Sequence, residues 1–236
     1  MITNRDHYKV LAQVFKYPTD MNYVREVNKC HDLIREKYPD LASGFSPFVS
    51  FINTSDFFKI EETFNLTFHI QAICFLDLGY VLFGEDYKRG EFLVHMKTEH
   101  EKINHDCGCE LADNLPNVLE LMSLSQDDEF INELGVRILI PSLEKMVKEF
   151  DQARIAMRHK IHKKNDRVVL DKEEITGNIY GNAIETLYAI AQRDFAGIAY
   201  DAGFQPEYGR NFLANCDGGC STSSTTSGTT TTKISQ

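Results

Sequence analysis

The chain has 236 residues and a net charge of −10, because 35 Asp and Glu residues outnumber 25 Lys and Arg residues. An acidic surface repels nucleic acid and anionic lipid and attracts basic partners, so the charge argues against nucleic-acid binding. The length is sufficient for one large domain, and the hydrophobic fraction of 42% is ordinary for a globular protein.

The hydropathy of the chain predicts no membrane-spanning segment. Its most apolar run, residues 70–83, contains Asp77 and is shorter than the roughly 20 apolar residues that a spanning helix needs. The first ten residues lack the apolar stretch of a signal peptide, so we expect a cytoplasmic protein without stable membrane insertion. In that compartment cysteines are expected to be free thiols or metal ligands rather than disulfides. The six cysteines are Cys30, Cys74, Cys107, Cys109, Cys216 and Cys220.

The hydrophobic pattern is helical along most of the chain. Apolar residues recur at spacings of three and four between residues 8 and 15 and again between residues 23 and 34. Proline or glycine follows several of these segments and marks their ends. Pro141 is expected to break or kink the apolar stripe that continues to residue 150. Further helices are predicted at about 41–52, 56–64, 85–105, 116–122 and 179–199.

The segment 66–83 is apolar nearly all round, which predicts a single central and buried helix. Gly84 suits the C-terminal cap of this helix, because glycine readily adopts left-handed backbone angles. The one β-branched run, residues 167–170, is too isolated to form a sheet. The sequence therefore predicts an all-α fold of about seven to nine helices.

The end of the chain differs in composition from the rest. Ser and Thr supply 12 of the 21 residues from 216 to 236, and Ile234 is the one large apolar side chain. Such a segment cannot bury enough apolar surface to offset the entropy of ordering it. We therefore expect an all-helical domain over residues 1–215 and a disordered tail over 216–236. The basic run at 154–167 is interpreted as a solvated helix end.

Three short sequence patterns occur in one order between residues 61 and 122. They are Glu62-Thr63-Phe64-Asn65, then Tyr87-Lys88-Arg89-Gly90 with Phe92-Leu93, then Leu111-Ala112-Asp113-Asn114-Leu115-Pro116 with Val118-Leu119-Glu120. That order resembles the nitrate reductase delta-subunit family, the NarJ-type chaperones. This family belongs to a wider group of all-helical chaperones for molybdenum enzymes, alongside the TorD and DmsD types.

The resemblance implies a chaperone without enzymatic activity or cofactor, built as a single helical-bundle-like domain of the TorD/NarJ type. It would bind the N-terminal segment of an apo molybdopterin-containing catalytic subunit, of nitrate reductase or a related enzyme, and assist cofactor insertion. It would act as a monomer or dimer. The peptide-binding residues implied by the matching motifs are Glu62, Arg89, Asp113, Asn114, Leu115, Pro116 and Glu120.

The same motifs can also be explained by structural roles, helix capping and ion pairing, instead of peptide binding. Asp113 or Asn114 would cap a helix that opens at Pro116, since proline lacks the N–H that would otherwise need a partner there. Such a cap would still leave Asp113 presented to a cationic peptide. Arg89 would pair with Glu85, four residues earlier on the same helix. Asn114 stands where the family usually has His, so no titratable imidazole is expected at this position.

Cysteine residues support an alternative function. Cys107 and Cys109 flank a glycine in a predicted loop, and Cys216 and Cys220 flank Asp-Gly-Gly near the end of the chain. Together they would supply four thiolates, a set that suits zinc or iron. The alternative is a metal- or redox-responsive thiol protein.

Histidines suggest a third function, a helical hydrolase or regulatory enzyme with a metal held by His95, His100 and His105. Five residues rotate a helix by about 140°, so His95 and His100 should point apart, which argues against a compact site. His105, Asp106 and the cysteines that follow would still be able to converge in a loop. The sequence contains no Gly-x-Ser-x-Gly or Walker-type phosphate-binding motif.

Overall fold

Helices form most of the chain in the computed structural model, which describes residues 5–70, 72–150 and 179–198. These ranges contain no strand, only one isolated antiparallel bridge between Asp77 and Asn114. The all-α prediction is confirmed for this part of the chain. The predicted tail at 216–236, the basic run at 154–167 and the β-branched run at 167–170 lie outside the described residues.

Ten α-helices are assigned within the described ranges. They are α1 (His7–Ala12), α2 (Asn22–Lys37), α3 (Ala42–Thr54), α4 (Phe57–Phe68), α5 (Leu78–Phe83), α6 (Tyr87–Lys102), α7 (Leu115–Leu124), α8 (Asp128–Leu134), α9 (Ile140–Glu149) and α10 (Tyr180–Asp194). A 3-10 turn, Gln13–Phe15, extends α1. None of these helices combines the length and apolar character needed to cross a bilayer.

Aspartate side chains cap the starts of several helices. Asp56 accepts a hydrogen bond from the Lys59 backbone N–H at the start of α4, and Asp127 accepts one from the Phe130 N–H at the start of α8. Such a bond satisfies a donor that has no partner within the helix. Gly84 ends α5 with a φ of 63°, so its predicted capping role is confirmed.

The predicted single helix over 66–83 is wrong. Helix α4 ends at Phe68 and α5 begins at Leu78, and the residues between them form a loop. Ile70 is 59% exposed in this loop. The loop is closed by a local hydrogen bond from the Ile73 N–H to the Thr67 carbonyl at 2.8 Å and by a distant one from the Leu115 N–H to the Leu76 carbonyl at 2.9 Å. Apolar composition alone did not reveal these partners.

Helix α7 takes the central position that the sequence suggested for 66–83. All eight residues from 115 to 122 are buried. Helix α1 and the 3-10 turn pack against α7, while α10 packs between α3 and α9. Tyr180, on α10, accepts or donates a hydrogen bond with the Tyr23 hydroxyl at 3.0 Å and lies edge-on to Phe64. The core therefore joins segments that lie far apart in the sequence.

Pro141 does not end the helical stripe. Five π-helical residues, Gly135–Leu139, join α8 to α9, so the wider turn precedes the proline. A π-turn is one of the established ways in which a helix accommodates a local irregularity. The ring of Phe195 packs directly against Gly135, where a Cβ atom would overlap it.

We predict that Gly135→Ala lowers the free energy of unfolding by about 1–3 kcal/mol, because the added methyl group forces apart a packed core contact. Gly90→Ala is the matched control, since Gly90 also lies within a helix but has open space around its Cα. Replacing that exposed glycine should raise the free energy of unfolding by roughly 0.5–1 kcal/mol. Urea denaturation measures both changes, and equal effects of the two substitutions would contradict the assigned contact.

Candidate functional site

A cleft of about 300 Å³ lies beside the N-terminal half of α7. It collects residues from the end of α1, from α4, from the loop after α6 and from α7 itself. The lining residues are Phe15, Lys16, Tyr17, Phe64, His69, Leu76, Asp106, Cys107, Gly108, Glu110, Asn114, Pro116, Asn117 and Glu120. Residues of the first and third sequence motifs therefore meet at one surface.

Aromatic rings form one wall of the cleft. The Tyr17 ring lies edge-on to Phe64, with centroids 5.4 Å apart, and parallel to the His69 ring at 6.0 Å. The Tyr17 hydroxyl donates to the Glu61 carboxylate at 2.5 Å, a bond that raises the pKa of Tyr17. Tyr17 remains 38% exposed, so it presents a positioned aromatic face at the rim.

Glu120 connects three segments beneath the cleft. Its Oε1 accepts hydrogen bonds from Lys16 Nζ at 2.6 Å and Gln13 Nε2 at 3.1 Å, and its Oε2 lies 2.9 Å from His105 Nε2. Burial opposes ionisation, but the hydrogen bonds from Lys16 and His105 outweigh it and lower the pKa of Glu120. Glu120 is therefore a largely buried carboxylate that is stabilised in its ionised form by local donors.

Asp113 caps a different helix from the one predicted. Its side chain is fully buried, and Oδ2 accepts a hydrogen bond from the Gly79 N–H at 2.9 Å, in the first turn of α5. Asn114 occupies the capping position of α7 but makes no side-chain bond to that helix, and its amide instead donates to Asp77 at 3.0 Å. In this conformation Asp113 is not presented to a partner, so that expectation is wrong.

The predicted pairing of Arg89 with Glu85 is also wrong. Helix α6 begins at Tyr87, so Glu85 precedes the helix and does not share a face with Arg89. The Arg89 guanidinium instead lies 3.5 Å from the Asp77 carboxylate and over the Tyr80 ring, 5.1 Å from its centroid. Arg89 thus supports the loop that carries Asp77.

The structure separates the seven predicted peptide-binding residues into two groups. Asn114, Pro116 and Glu120 line the cleft. Glu62 is exposed on α4 beside Lys59, at 3.1 Å, and Leu115 is fully buried. Glu62, Arg89, Asp113 and Leu115 lie outside the lining, and the part of all seven in peptide binding stays a prediction.

Sequence reasoning missed Tyr17, Lys16 and His69 as residues of the cleft. The Tyr17-Pro18 dipeptide was interpreted only as the end of a helix. The signal available in the sequence was that Tyr17 is a large aromatic residue outside the predicted helices. Such a side chain is not needed to pack one helix against another, so it is a candidate for a binding surface.

A second group of polar residues adjoins the cleft. His100, His105 and Cys107 each place one potential ligand atom within 4.8 Å of the other two. Burial lowers the pKa of His100. Burial also raises the pKa of Cys107, and the neighbouring Asp106 acts in the same direction. Cys109 is exposed and lies outside this group.

The prediction that His95 and His100 point apart is confirmed, but no pattern in the sequence indicated that His100 and His105 lie side by side. His95 faces Glu99 at 3.1 Å, away from His100, as the helical rotation predicts. Helix α6 ends at Lys102 rather than at residue 105, however, and the chain then turns back. This turn brings His105 beside His100. Cys216 and Cys220 of the alternative thiol site lie outside the described residues, which leaves the four-thiolate set a prediction.

Comparison with protein-family models finds no match, and comparison with curated proteins finds none either. The resemblance noted in the sequence motifs and the geometry of the cleft are therefore the two bases for a functional proposal.

The buried Asp113 carboxyl predicts a specific pH dependence of stability. Burial and the neighbouring Asp77 carboxylate raise the pKa of Asp113 to about 6. Because the unfolded chain has the lower pKa of about 3.9, protonated Asp113 stabilises the folded state at low pH. That contribution is lost as the pH rises through 6.

Asp113→Asn keeps an oxygen acceptor for the Gly79 N–H and removes the titration. The stability of this variant relative to the natural protein should therefore increase by roughly 1–3 kcal/mol between about pH 4 and pH 7. Urea denaturation at several pH values measures the difference. Parallel stability profiles for the two proteins would contradict the assigned burial of this carboxyl.

Proposed function

We propose that this protein is a cytoplasmic maturation chaperone of the NarJ type, without enzymatic activity. It binds the N-terminal segment of an apo molybdopterin-containing catalytic subunit, of nitrate reductase or a related enzyme, and keeps that subunit competent for cofactor insertion. The observation that carries the proposal is the convergence of Phe64, Asn114, Pro116 and Glu120, from two of the three motifs, on one cleft.

The chemistry of the cleft suits an apolar side chain of a peptide. Phe15, Phe64, Leu76 and Pro116 are buried and form the apolar floor of the cleft, and Tyr17 presents an exposed aromatic face at the rim. Recognition clefts commonly combine such surface with a few polar groups that orient the ligand. Tyrosine is well suited to this position, because it provides a large contact area with only two side-chain torsions to fix.

The charge of the cleft favours a basic segment next to that side chain. Asp106 and Glu110 are exposed at its edge, and the whole chain carries a charge of −10. Lys16 adds little positive potential to a ligand, since its ammonium is already paired with Glu120 at 2.6 Å. Acidic groups at the rim orient a cationic partner and increase its association rate. The expected ligand is a peptide with an apolar anchor flanked by Arg or Lys.

A second, larger cleft is an alternative candidate for the peptide-binding site. It has a volume of about 470 Å³ and lies between the loop after α4 and helix α9, with Phe75 and Tyr80 on one side and Met146 on the other. None of the seven predicted peptide-binding residues lines it. Phe75 is 42% exposed, close to the 38% of Tyr17, so the two residues form a matched pair for locating the binding surface.

Affinity capture with the tagged full chain, from its own host under anaerobic induction, should recover a molybdopterin-containing subunit as the main partner. A synthetic peptide of the N-terminal segment of that subunit then serves as the probe for calorimetry. Tyr17→Ala should weaken peptide binding by about tenfold, because it removes the exposed aromatic anchor. Phe75→Ala should leave the dissociation constant unchanged.

The two experiments test the identity of the partner and the location of the binding site separately. Recovery of no molybdopterin-containing subunit would overturn the chaperone proposal. Loss of binding with Phe75→Ala and not with Tyr17→Ala would keep the client but move the site to the larger cleft. Thermal unfolding of both variants shows whether a binding defect merely reflects loss of fold.

A further inference from the structure

The rings of His100 and His105 face each other with their outer nitrogens already engaged. His100 Nε2 lies 3.0 Å from the backbone carbonyl oxygen of Ala112. His105 Nε2 lies 2.9 Å from the Glu120 carboxylate. A carbonyl and an ionised carboxylate only accept hydrogen bonds, so each Nε2 must carry a proton and donate it.

This assignment leaves an unsatisfied arrangement between the two rings. His100 Nδ1 and His105 Nδ1 are 2.9 Å apart, which is a hydrogen-bonding distance. When both imidazoles are neutral and protonated at Nε2, both Nδ1 atoms bear lone pairs. Two lone pairs that point at each other repel, so the arrangement requires a cation between or beside them.

We propose that His100, His105 and Cys107 form a binding site for a divalent transition-metal ion of the zinc type. This site is independent of the proposed chaperone function. The Cys107 sulfur lies within 4.8 Å of a ring nitrogen of each histidine. Two imidazole nitrogens and one thiolate form a ligand set that zinc binds well. Calcium and magnesium prefer oxygen ligands, so the donor set does not suit them.

The separation of the nitrogens is close to what a zinc ion needs. Two nitrogens about 2.05 Å from a tetrahedral ion lie about 3.3 Å apart. The observed 2.9 Å between His100 Nδ1 and His105 Nδ1 reaches this value when the rings separate by a few tenths of an ångström. Three protein ligands leave one tetrahedral position for water or another donor.

The outer hydrogen bonds are those that metal-bound histidines usually make. A ligating imidazole commonly donates its second N–H to a backbone carbonyl or a carboxylate, which fixes its tautomer and orientation. The Ala112 carbonyl serves His100 and the Glu120 carboxylate serves His105. Glu120 is thus a positioning residue, acting through His105 and not as a ligand itself.

Local backbone structure places the three ligands together. His100 lies in the last turn of α6, and Asn104 then adopts a left-handed φ of 52°. This residue turns the chain so that the His105 N–H bonds to the His100 carbonyl at 3.0 Å. Cys107 follows in the same loop and also lines the cleft. A bound ion would therefore connect the end of α6 to the loop that forms one edge of the cleft.

Cobalt titration tests the site with a spectroscopic probe. The full chain is reduced, freed of metal with a chelator and titrated with Co²⁺ in the absence of oxygen. We expect a thiolate-to-cobalt charge-transfer absorption that Zn²⁺ abolishes by displacement, with a zinc dissociation constant below about 1 μM. Binding should release the proton of the Cys107 thiol, as that group becomes a metal-bound thiolate, together with any proton held between the two Nδ1 atoms.

Two cysteine variants assign the sulfur ligand. Cys107→Ser should remove the charge-transfer absorption and weaken zinc binding by more than about 100-fold. Cys109→Ser is the matched control, because Cys109 lies two residues away but outside the cluster, and it should keep both properties. Glu120→Gln should weaken zinc binding by about 10–100-fold while the charge-transfer absorption is retained, since it weakens the hydrogen bond that orients His105 and leaves the three ligand side chains unchanged.

Several results would overturn the proposal. Charge-transfer absorption that persists in Cys107→Ser, or that is lost equally in Cys109→Ser, would place the thiolate elsewhere. Failure of the natural protein to bind either Co²⁺ or Zn²⁺ would leave a shared proton as the cation between the two rings. Circular dichroism of each variant in the absence of metal identifies any loss of fold, and His105→Gln provides a second test in that case.

Discussion

The buried charge of Glu120 on helix α7 is the constraint on which the site depends. Because residues 115–122 of α7 are buried and the Glu120 side chain is only 11% exposed, at the cleft, its carboxylate has little access to bulk water and requires donors within the protein. Lys16 and Gln13 approach from the end of α1, and His105 approaches from the loop after α6. Removing one donor would leave a charge without compensation in the core, so these segments are placed together by electrostatics as well as by packing.

The same principle applies at the start of α7, where polar groups are buried with internal partners. The Leu78 N–H bonds to the Asp113 carbonyl at 3.0 Å, and the Leu115 N–H bonds to the Leu76 carbonyl at 2.9 Å. These bonds, together with the Asp113 side chain on Gly79, hold the loop before α5 against α7. The third sequence motif therefore has a structural role in joining two helices, whether or not its surface residues also bind a peptide. Asp113 is buried in this arrangement, and its part in peptide binding stays a prediction.

Local signals in the sequence were sufficient for most helices and insufficient for the site. The helix predicted at 56–64 begins within one residue of the start of α4, since a helix start depends on residues two or three positions away, such as the Asp56 cap. The loop at 69–77 was missed, because its hydrogen bonds come partly from residues more than thirty positions later. The contacts of Arg89 with Asp77 and of His100 with His105 depend on how the chain turns in the loops outside the helices. Helical periodicity carries no information about such contacts once a helix ends earlier than expected.

Nitrogen NMR of the histidine rings in ¹⁵N-labelled, metal-free protein at neutral pH determines which ring nitrogens of His100 and His105 carry protons. Single-histidine variants assign the signals. We expect His100 and His105 both to carry a proton on Nε2, because the Ala112 carbonyl and Glu120 accept hydrogen bonds from them. A proton on Nδ1 of either ring, with a bare Nε2, would contradict this expectation: the two Nδ1 atoms would then share an ordinary hydrogen bond and the buried carboxylate would not fix the arrangement.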